Sequence, residues 1–313
     1  MTEEPRNVIK GQQKFMHGLL AETEEQIISA LSANDETAIW ALISGLHHTD
    51  IADLLERLSD DHRTRVLAIM GPDFDGDVLI ELDEIVRDQV IEKVGLETVA
   101  QAVRELESDD ALEIIEDLEK HEQELILESI SDRNRALLEE SLQFPEDSAG
   151  RLMQRELVTV PTFWCVGDAI DLLRESTDSD NNLLPNQFYV IYVVDPTYRP
   201  VGMVWLDKLL RARRPIKLLE IMEQDMKVIP VYTDQEDVAF LFRQRDLLSA
   251  PVVDEGGRLI GAITIDDVVD VIDKEHEEDI MRMGGVLEDD FYSDVFDTAR
   301  ARFSWLFVNF LTA

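Results

Sequence analysis

The residues whose types and spacing could do chemistry are the acids between positions 263 and 279. This stretch begins as an apolar strand signal and then carries eight carboxylates and one lysine. At helical spacing, Asp266, Asp270, Asp273 and Glu277 recur along one row of the helix surface. Like charges about 6 Å apart repel by roughly 3 kcal/mol at an effective dielectric constant of 20. A helix with this pattern is either fully solvated or binds a cation.

Composition favours a cation without proving it. The chain has 67 acidic and 29 basic residues in 313, for a net charge of −38. No basic face is available to neutralise phosphates, which excludes a nucleic acid as partner. The acids have no clustered Cys or His beside them and form no EF-hand loop, so Mg²⁺ fits them better than zinc, copper or Ca²⁺. A salt-adapted surface that is acidic only for hydration is the alternative explanation. An enzyme is not expected, since the sequence contains no nucleophile–base pair or phosphate loop.

The first part of the chain is predicted to be helical. Residues 1–22 are polar and are expected to form a flexible lead-in, and residues 23–143 contain short helices in a repeat of 24 residues. Apolar residues followed by Ser, Asp or Glu of helix-cap type mark the repeat: Leu58, Leu82, Leu106 and Ile130. Helices capped at this interval indicate a superhelical stack of helix pairs with a shared core. Four histidines of this region lack ligand spacing and are predicted to lie at the surface: His47, His48, His62 and His121.

After residue 143 the chain alternates strands and helices. Two units with the order β-α-β-β-α occupy residues 144–212 and 213–276. One such unit leaves a sheet face uncovered, so the two are predicted to pack together. The predicted fold class is α+β and multidomain, with an all-α superhelical N domain followed by the paired units. The last helix of the second unit should bury one apolar stripe: Ile265, Val268, Val269, Ile272 and Ile280.

The end of the chain is mostly apolar. Residues 303–313 follow Arg300 and Arg302 directly. A membrane helix needs about 20 apolar residues, and basic residues mark its cytoplasmic side. We therefore expect the start of a first transmembrane helix here, the alternative being an amphipathic tail that docks on the protein.

The paired units resemble tandem CBS domains, a likeness carried in the second unit by Ala-Pro-Val-Val-Asp-Glu-Gly-Gly-Arg-Leu-Ile-Gly at residues 250–261. The join at residues 145–153, the acidic run 266–279 and the ending 301–306 are similar to the MgtE family of magnesium channels and occur in the same order. The resemblance implies a homodimer through the CBS domains and a connecting (plug) helix at residues 277–302, which leads into a membrane pore domain that is absent from this chain.

The resemblance also implies a set of metal ligands. Asp267 and Asp270 match positions on the last CBS helix, and Glu275, Glu278 and Asp279 match a cluster beside the plug. Asp246 matches an acid of the second CBS unit that faces the N domain. Asp109 and Glu113 match two acids that lie one turn apart in the N domain. Glu113 departs from the family's aspartate by one methylene group.

CBS pairs often bind ATP or another adenine nucleotide through a Gly-x-x-Thr-x-x-Asp segment. The second unit keeps it as Gly261, Thr264 and Asp267, whereas the first unit has Trp205 and Lys208 where Ser or Thr and Asp are expected. The resemblance therefore implies one possible nucleotide site, through Thr264 and Asp267. The alternative for Thr264 is a simple helix cap.

Together these features predict the cytosolic Mg²⁺-sensing and gating region of a magnesium channel or transporter, on the cytoplasmic side of the cell membrane. Mg²⁺ bound between acidic faces of the N domain, the CBS pair and the plug helix would stabilise the closed state. The alternatives are a CBS-based adenine-nucleotide sensor and an acidic interaction module.

Overall fold

A computed structural model describes residues 21–71, 74–176, 184–185 and 187–284, without the side chains of residues 277–279 and 281–284. Most of the predicted lead-in, the connector from residue 285 onward and the apolar ending therefore lie outside the described residues. The chain divides into two compact units, Met1–Gln143 and Phe144–Ala313. No helix of the described residues is long and apolar enough to cross a membrane.

The first unit is built from short helices around one apolar core. Its helices are α1 (Ala21–Ala33), α2 (Glu36–Ile43), α3 (His48–Arg57), α4 (Asp60–Met70), α5 (Asp77–Ile80), α6 (Glu84–Val94), α7 (Leu96–Glu105), α8 (Ser108–Glu116), α9 (Lys120–Ser129) and α10 (Asp132–Ser141). The predicted repeat is present, because each marker residue directly precedes the N-cap of the following helix. Leu58, Leu106 and Ile130 are extended at that point and so terminate α3, α7 and α9.

The capping contacts differ from the prediction. Ser131 accepts a hydrogen bond from the backbone N–H of Asn134 at 3.3 Å, as expected of a cap. Ser59, Asp83 and Glu107 are N-caps without a side-chain cap bond, so the prediction is wrong at these three positions. Backbone bonds close the turns, and acids in the first turn of each helix still complement its dipole.

Two buried arginines also follow the 24-residue repeat. Arg63 and Arg87 are each 6% exposed, and each donates through Nη2 to the carbonyl of a marker residue, Leu58 or Leu82, at 3.2 Å. These carbonyls at helix ends have no partner within a helix, so the guanidinium groups satisfy them. Hydrogen bonds from Arg63 and Arg87 thus stabilise the repeat in addition to apolar packing.

The second unit contains the two β-α-β-β-α motifs. Its elements are α11 (Ala149–Leu152), β1 (Thr159–Pro161), α12 (Val166–Ser176), β2 (Val190–Val194), β3 (Pro200–Trp205), α13 (Leu206–Arg211), α14 (Leu218–Ile221), β4 (Ile229–Pro230), α15 (Gln235–Arg245), β5 (Ser249–Val253), β6 (Leu259–Thr264) and α16 (Ile265–Gly284). One sheet has the order β1-β2-β3 and the other β4-β5-β6. In both, the first pair is parallel, across a helical crossover, and the second pair is antiparallel.

The two sheets cover each other, as predicted. Tyr192 and Met203 of the first sheet share a buried cluster with Leu259 and Ala262 of the second. The hydroxyls of Tyr192 and Ser249 lie 2.7 Å apart across this interface. The central strands β2 and β5 are buried at every residue, because helices cover their other faces.

The buried face of α16 agrees with the predicted stripe at Ile265, Val268 and Ile272 and differs from it elsewhere. Val268 and Val271 are buried at 0% and 6% exposure, whereas Val269 is 46% and Ile280 67% exposed. The prediction is therefore wrong for Val269 and Ile280. Because α16 packs against α15, the face that it buries is rotated toward Val271.

Candidate metal-binding sites

Asp267 is an acid whose pKa is strongly raised. It lies in the first turn of α16, half-buried, and its carboxylate accepts from the backbone N–H of Thr264 at 3.2 Å and from the Thr264 hydroxyl at 2.7 Å. Burial raises the pKa of Asp267 to about 7; the charges of Asp266 and Asp270 raise it further, and the Thr264 bonds oppose the rise. Asp267 is therefore close to its titration point at neutral pH, and a cation nearby would favour its charged form.

The acids around Asp267 are more accessible. Asp266 and Asp270 are exposed on α16, within one turn of Asp267. Glu275 is half-buried two turns later and accepts from the Gln235 side chain of α15 at 3.1 Å. The side chains of Glu278 and Asp279 lie outside the described residues.

A cavity of about 310 Å³ borders Glu275 between α15 and α16. Its charged lining residues are Glu236, Arg243 and Glu275. The arginine among them makes this cavity a poor cage for a cation, since it adds a positive charge to the wall.

Asp246 ends α15 and is exposed. Its φ of 52° and ψ of 44° lie in the left-handed region, which Asp tolerates better than most residues. Asp246 therefore has a structural role as the residue that turns the chain out of the helix, and its carboxylate faces solvent.

Asp109 and Glu113 lie one turn apart on α8, as their spacing requires. Asp109 is half-buried and accepts from the backbone N–H of Asp110 at 3.1 Å. Glu113 is exposed, but it accepts from the buried guanidinium of Arg87 at 2.7 Å, which also pairs with Asp117 at 2.9 Å. Glu113 is therefore already the partner of a buried cation.

Sequence reasoning missed this role of Arg87. The signal that could have found it is the 24-residue interval between Arg63 and Arg87, which places both at one position of the repeat. Of the predicted ligands, the structure brings together Asp267 and Asp270 on α16 and Asp109 and Glu113 on α8.

In the second β-α-β-β-α motif, the segment Gly261–Asp267 that resembles a nucleotide-binding segment makes local packing contacts. A Cβ on Gly261 would lie 2.5 Å from Met153 Sδ, so the glycine is required by the approach of residue 153. Thr264 donates both its hydroxyl and its backbone N–H to the Asp267 carboxylate. This differs from a simple helix cap, in which the hydroxyl would accept from a backbone N–H. The cleft beside Thr264, lined also by Tyr189 and other described residues, encloses about 20 Å³, or about one water molecule.

In the first β-α-β-β-α motif, the positions that correspond to Thr264 and Asp267 are Trp205 and Lys208, and both side chains contact one acid. Glu223 accepts from the indole N–H of Trp205 at 3.0 Å and from Lys208 Nζ at 2.9 Å. These contacts lower the pKa of Glu223, the lysine bond being the main cause. The segment thus forms an internal indole–carboxylate–ammonium contact in place of hydroxyl and carboxylate groups directed at a ligand.

Comparison with known proteins finds family models that match two parts of the chain. The family model for the MgtE intracellular N domain matches residues 46–147, and that for the CBS domain matches residues 218–274. The magnesium transporter MgtE of Thermus thermophilus is 31% identical over 289 residues, which cover 90% of this chain and 63% of the relative. The chain thus contains an MgtE intracellular N domain and a CBS domain, and it is similar to magnesium transporters named MgtE.

A second relative and a solved structure show the same similarity. MgtE of Bacillus subtilis is 29% identical over 267 residues, covering 85% of this chain and 58% of the relative. The crystal structure of the cytosolic domain of the Mg²⁺ channel MgtE in complex with ATP superposes with a TM-score of 0.71 at 29% identity, covering 79% of this chain and 99% of that one. The chain thus spans about 60% of the length of these curated MgtE relatives, and it matches their cytosolic domain.

Proposed function

We propose that this chain is the Mg²⁺-sensing and gating region of a magnesium channel or transporter, located on the cytoplasmic side of the cell membrane. The observation that carries the proposal is the set of carboxylates of Asp266, Asp267 and Asp270 within one turn of α16. Mutual repulsion contributes to the raised pKa of Asp267, and a bound divalent cation would relieve it.

The chemistry of these acids suits Mg²⁺. The ion keeps several waters and needs only one or two carboxylates from the protein. Exposed acids such as Asp246 and Asp270 can therefore bind it through its water shell without forming a closed cage. Such sites are weak, which a sensor that responds near cellular Mg²⁺ concentrations requires.

We further propose that Asp109 of α8 and the cluster beside the plug, Glu275, Glu278 and Asp279, take part in Mg²⁺ binding. Ions held by acids of the N domain, the CBS pair and the plug would favour the closed state of the pore. An ion shifts a conformational equilibrium only by its differential affinity for the two states, so several weak sites acting together give a sharp response.

The test is the Mg²⁺-dependent shift in melting temperature. Binding to the folded state alone adds RT ln(1 + [L]/Kd) per site. We expect millimolar MgCl₂ to stabilise the chain beyond NaCl of the same ionic strength, and the double variant D246N/D270N to lose a large part of this difference. Asn tolerates the left-handed conformation at position 246, so this variant preserves the turn.

The control is E124Q/E128Q, which also removes two exposed charges, from a helix (α9) that carries none of the proposed Mg²⁺ ligands. It should keep the full Mg²⁺ response. An equal response to both salts, or a full response in D246N/D270N, would contradict the proposal and leave the salt-adapted surface as the explanation.

Adenine-nucleotide binding by the second CBS unit is a second candidate function. In its favour are the Gly261, Thr264 and Asp267 arrangement and the ATP in the crystal structure of the related cytosolic domain. Thr264 and Asp267 are the residues that would hold the ribose and phosphate, but they bond to each other and the adjoining cleft has room for about one water molecule. Calorimetry with ATP on wild type and T264A tests it; no heat of binding above that of the variant would exclude this site.

We also propose a homodimer through the CBS pair. Phe240 of α15 and Val269 of α16 are 53% and 46% exposed on two adjacent helices, and such an apolar face is typical of a subunit contact. Sedimentation of wild type and V269D distinguishes the outcomes, since a wild-type monomer at tens of micromolar would refute the dimer.

A further inference from the structure

A second type of candidate metal site lies in the first unit, apart from the acids discussed above. His48 is the first residue of α3, and Asp77 is the first residue of α5. Ligand atoms of His48, Asp75 and Asp77 all lie within 4.8 Å of one another. His48 is half-buried and the two aspartates are exposed, so the group is accessible from solvent.

The imidazole of His48 lies between carboxylates on both sides. Its Nδ1 is 3.7 Å from an oxygen of Asp77, and its Nε2 is 3.7 Å from an oxygen of Glu81. Both separations exceed the range of a hydrogen bond. Two atoms bound to one ion at about 2.1 Å are about 3 to 4.2 Å apart, depending on the angle at the metal. The gap between Nδ1 and Asp77 therefore has the width that an ion requires.

Glu81 is the observation that distinguishes this group from an acidic cluster. A histidine that binds metal through one ring nitrogen usually donates the other N–H to a carboxylate, which fixes the ring and its tautomer. Glu81 faces Nε2, on the opposite side of the ring from Asp77. At 3.7 Å from Nε2, Glu81 does not yet form this hydrogen bond, and a small rotation of its side chain would complete the arrangement of metal, imidazole and orienting carboxylate.

We propose that His48, Asp75 and Asp77 bind a divalent transition-metal cation such as Zn²⁺, with Glu81 positioning the imidazole and water completing the coordination. A neutral imidazole is a borderline ligand that favours transition metals over Mg²⁺. The site would give this chain a second metal input, chemically distinct from the carboxylate sites of α16. It does not depend on the proposed Mg²⁺ function.

The test is calorimetric titration of the full chain with Zn²⁺ in the presence of millimolar Mg²⁺, which occupies sites made of carboxylates alone. We expect one Zn²⁺ site that H48Q and D77N abolish and that E81Q weakens by about 10-fold, the usual effect of losing an orienting carboxylate. His48 is partly exposed at a helix start, so H48Q should keep the fold, which its melting curve without metal verifies.

The matched control is H121Q. His121 is also a helix-borne histidine of the first unit beside a carboxylate, Glu119 at 3.2 Å, but it is not part of the three-residue group. H121Q should bind Zn²⁺ like wild type. Unchanged Zn²⁺ binding in H48Q, an equal loss in H121Q, or displacement of Zn²⁺ by millimolar Mg²⁺ would overturn the proposal.

Discussion

Replacing Asp267 by Asn should change how the stability of the second unit depends on pH. In the folded chain the pKa of Asp267 rises from 3.8 to about 7, chiefly because of burial. Between these values the folded state binds more protons than the unfolded state, so the free energy of unfolding falls as pH rises. The stabilisation from the protonated form is fully present below pH 3.8 and is lost as pH rises through 7.

The magnitude follows from the same values. A difference of one pKa unit corresponds to about 1.4 kcal/mol, so ionising Asp267 costs the folded state up to about 4 kcal/mol. Asp267 retains some contact with solvent, and we therefore expect about 2 to 4 kcal/mol. At about 3 °C for each kcal/mol in a unit of this size, D267N should melt about 6 to 12 °C above wild type at pH 8. At pH 4 the two should melt together. Asn keeps an acceptor for the Thr264 bonds, so the comparison isolates the charge.

The assay is thermal unfolding by circular dichroism from pH 4 to pH 8 with EDTA present. The control is D273N, which removes the same charge from an exposed position of the same helix. D273N should keep the wild-type pH dependence, and D267N should flatten it between pH 4 and pH 7. Parallel curves for wild type and D267N would refute the reasoning, since Asp267 would then titrate alike in the folded and unfolded states.

Three further predictions concern Arg87, Ser131 and Tyr192. R87M should destabilise the first unit by about 2 to 3 kcal/mol in urea unfolding, because it removes the donor to the carbonyls of Ile80 and Leu82, while the acids paired with the guanidinium remain accessible to water; a loss below about 1 kcal/mol would contradict this. S131A should cost about 1 kcal/mol through its lost cap bond, whereas S59A, at a cap without that bond, should cost less than half as much; equal losses would show that the bond contributes nothing. Y192F should cost about 1 to 2 kcal/mol by leaving the buried hydroxyl of Ser249 without its partner, and S249A in the same background should recover part of the loss.

Sequence reasoning was accurate where a local pattern determines the structure. The leucines and isoleucine at intervals of 24 mark the helix boundaries, because the residue after each of them is the N-cap of the next helix. This pattern involves only neighbouring residues and can be read from the sequence. The two β-α-β-β-α units were predictable for the same reason. The sequence places the first strand of this region at Leu157–Val160 and the structure at Thr159–Pro161, a difference of one or two residues at each end that is usual for element boundaries.

The failures concern contacts between residues far apart in the chain. Arg87 and Glu113 are 26 residues apart, and no local pattern predicts that one will neutralise the other. His48 and Asp77 are brought together only by the packing of α3 against α5. The exposure of Val269 depends on the direction from which α15 approaches α16, which hydrophobic periodicity alone does not specify.

The pairing of Glu113 with Arg87 limits what Mg²⁺ can do at α8. Separating a buried charge from its partner costs about 3 to 5 kcal/mol. Binding of an ion with a millimolar dissociation constant supplies only about 4 kcal/mol under standard conditions, and far less at the millimolar concentrations at which a sensor works. A weakly bound Mg²⁺ ion therefore cannot take Glu113 from the guanidinium and can at most share the carboxylate. The proposal for α8 therefore rests on Asp109, which lies one turn earlier on the same helix.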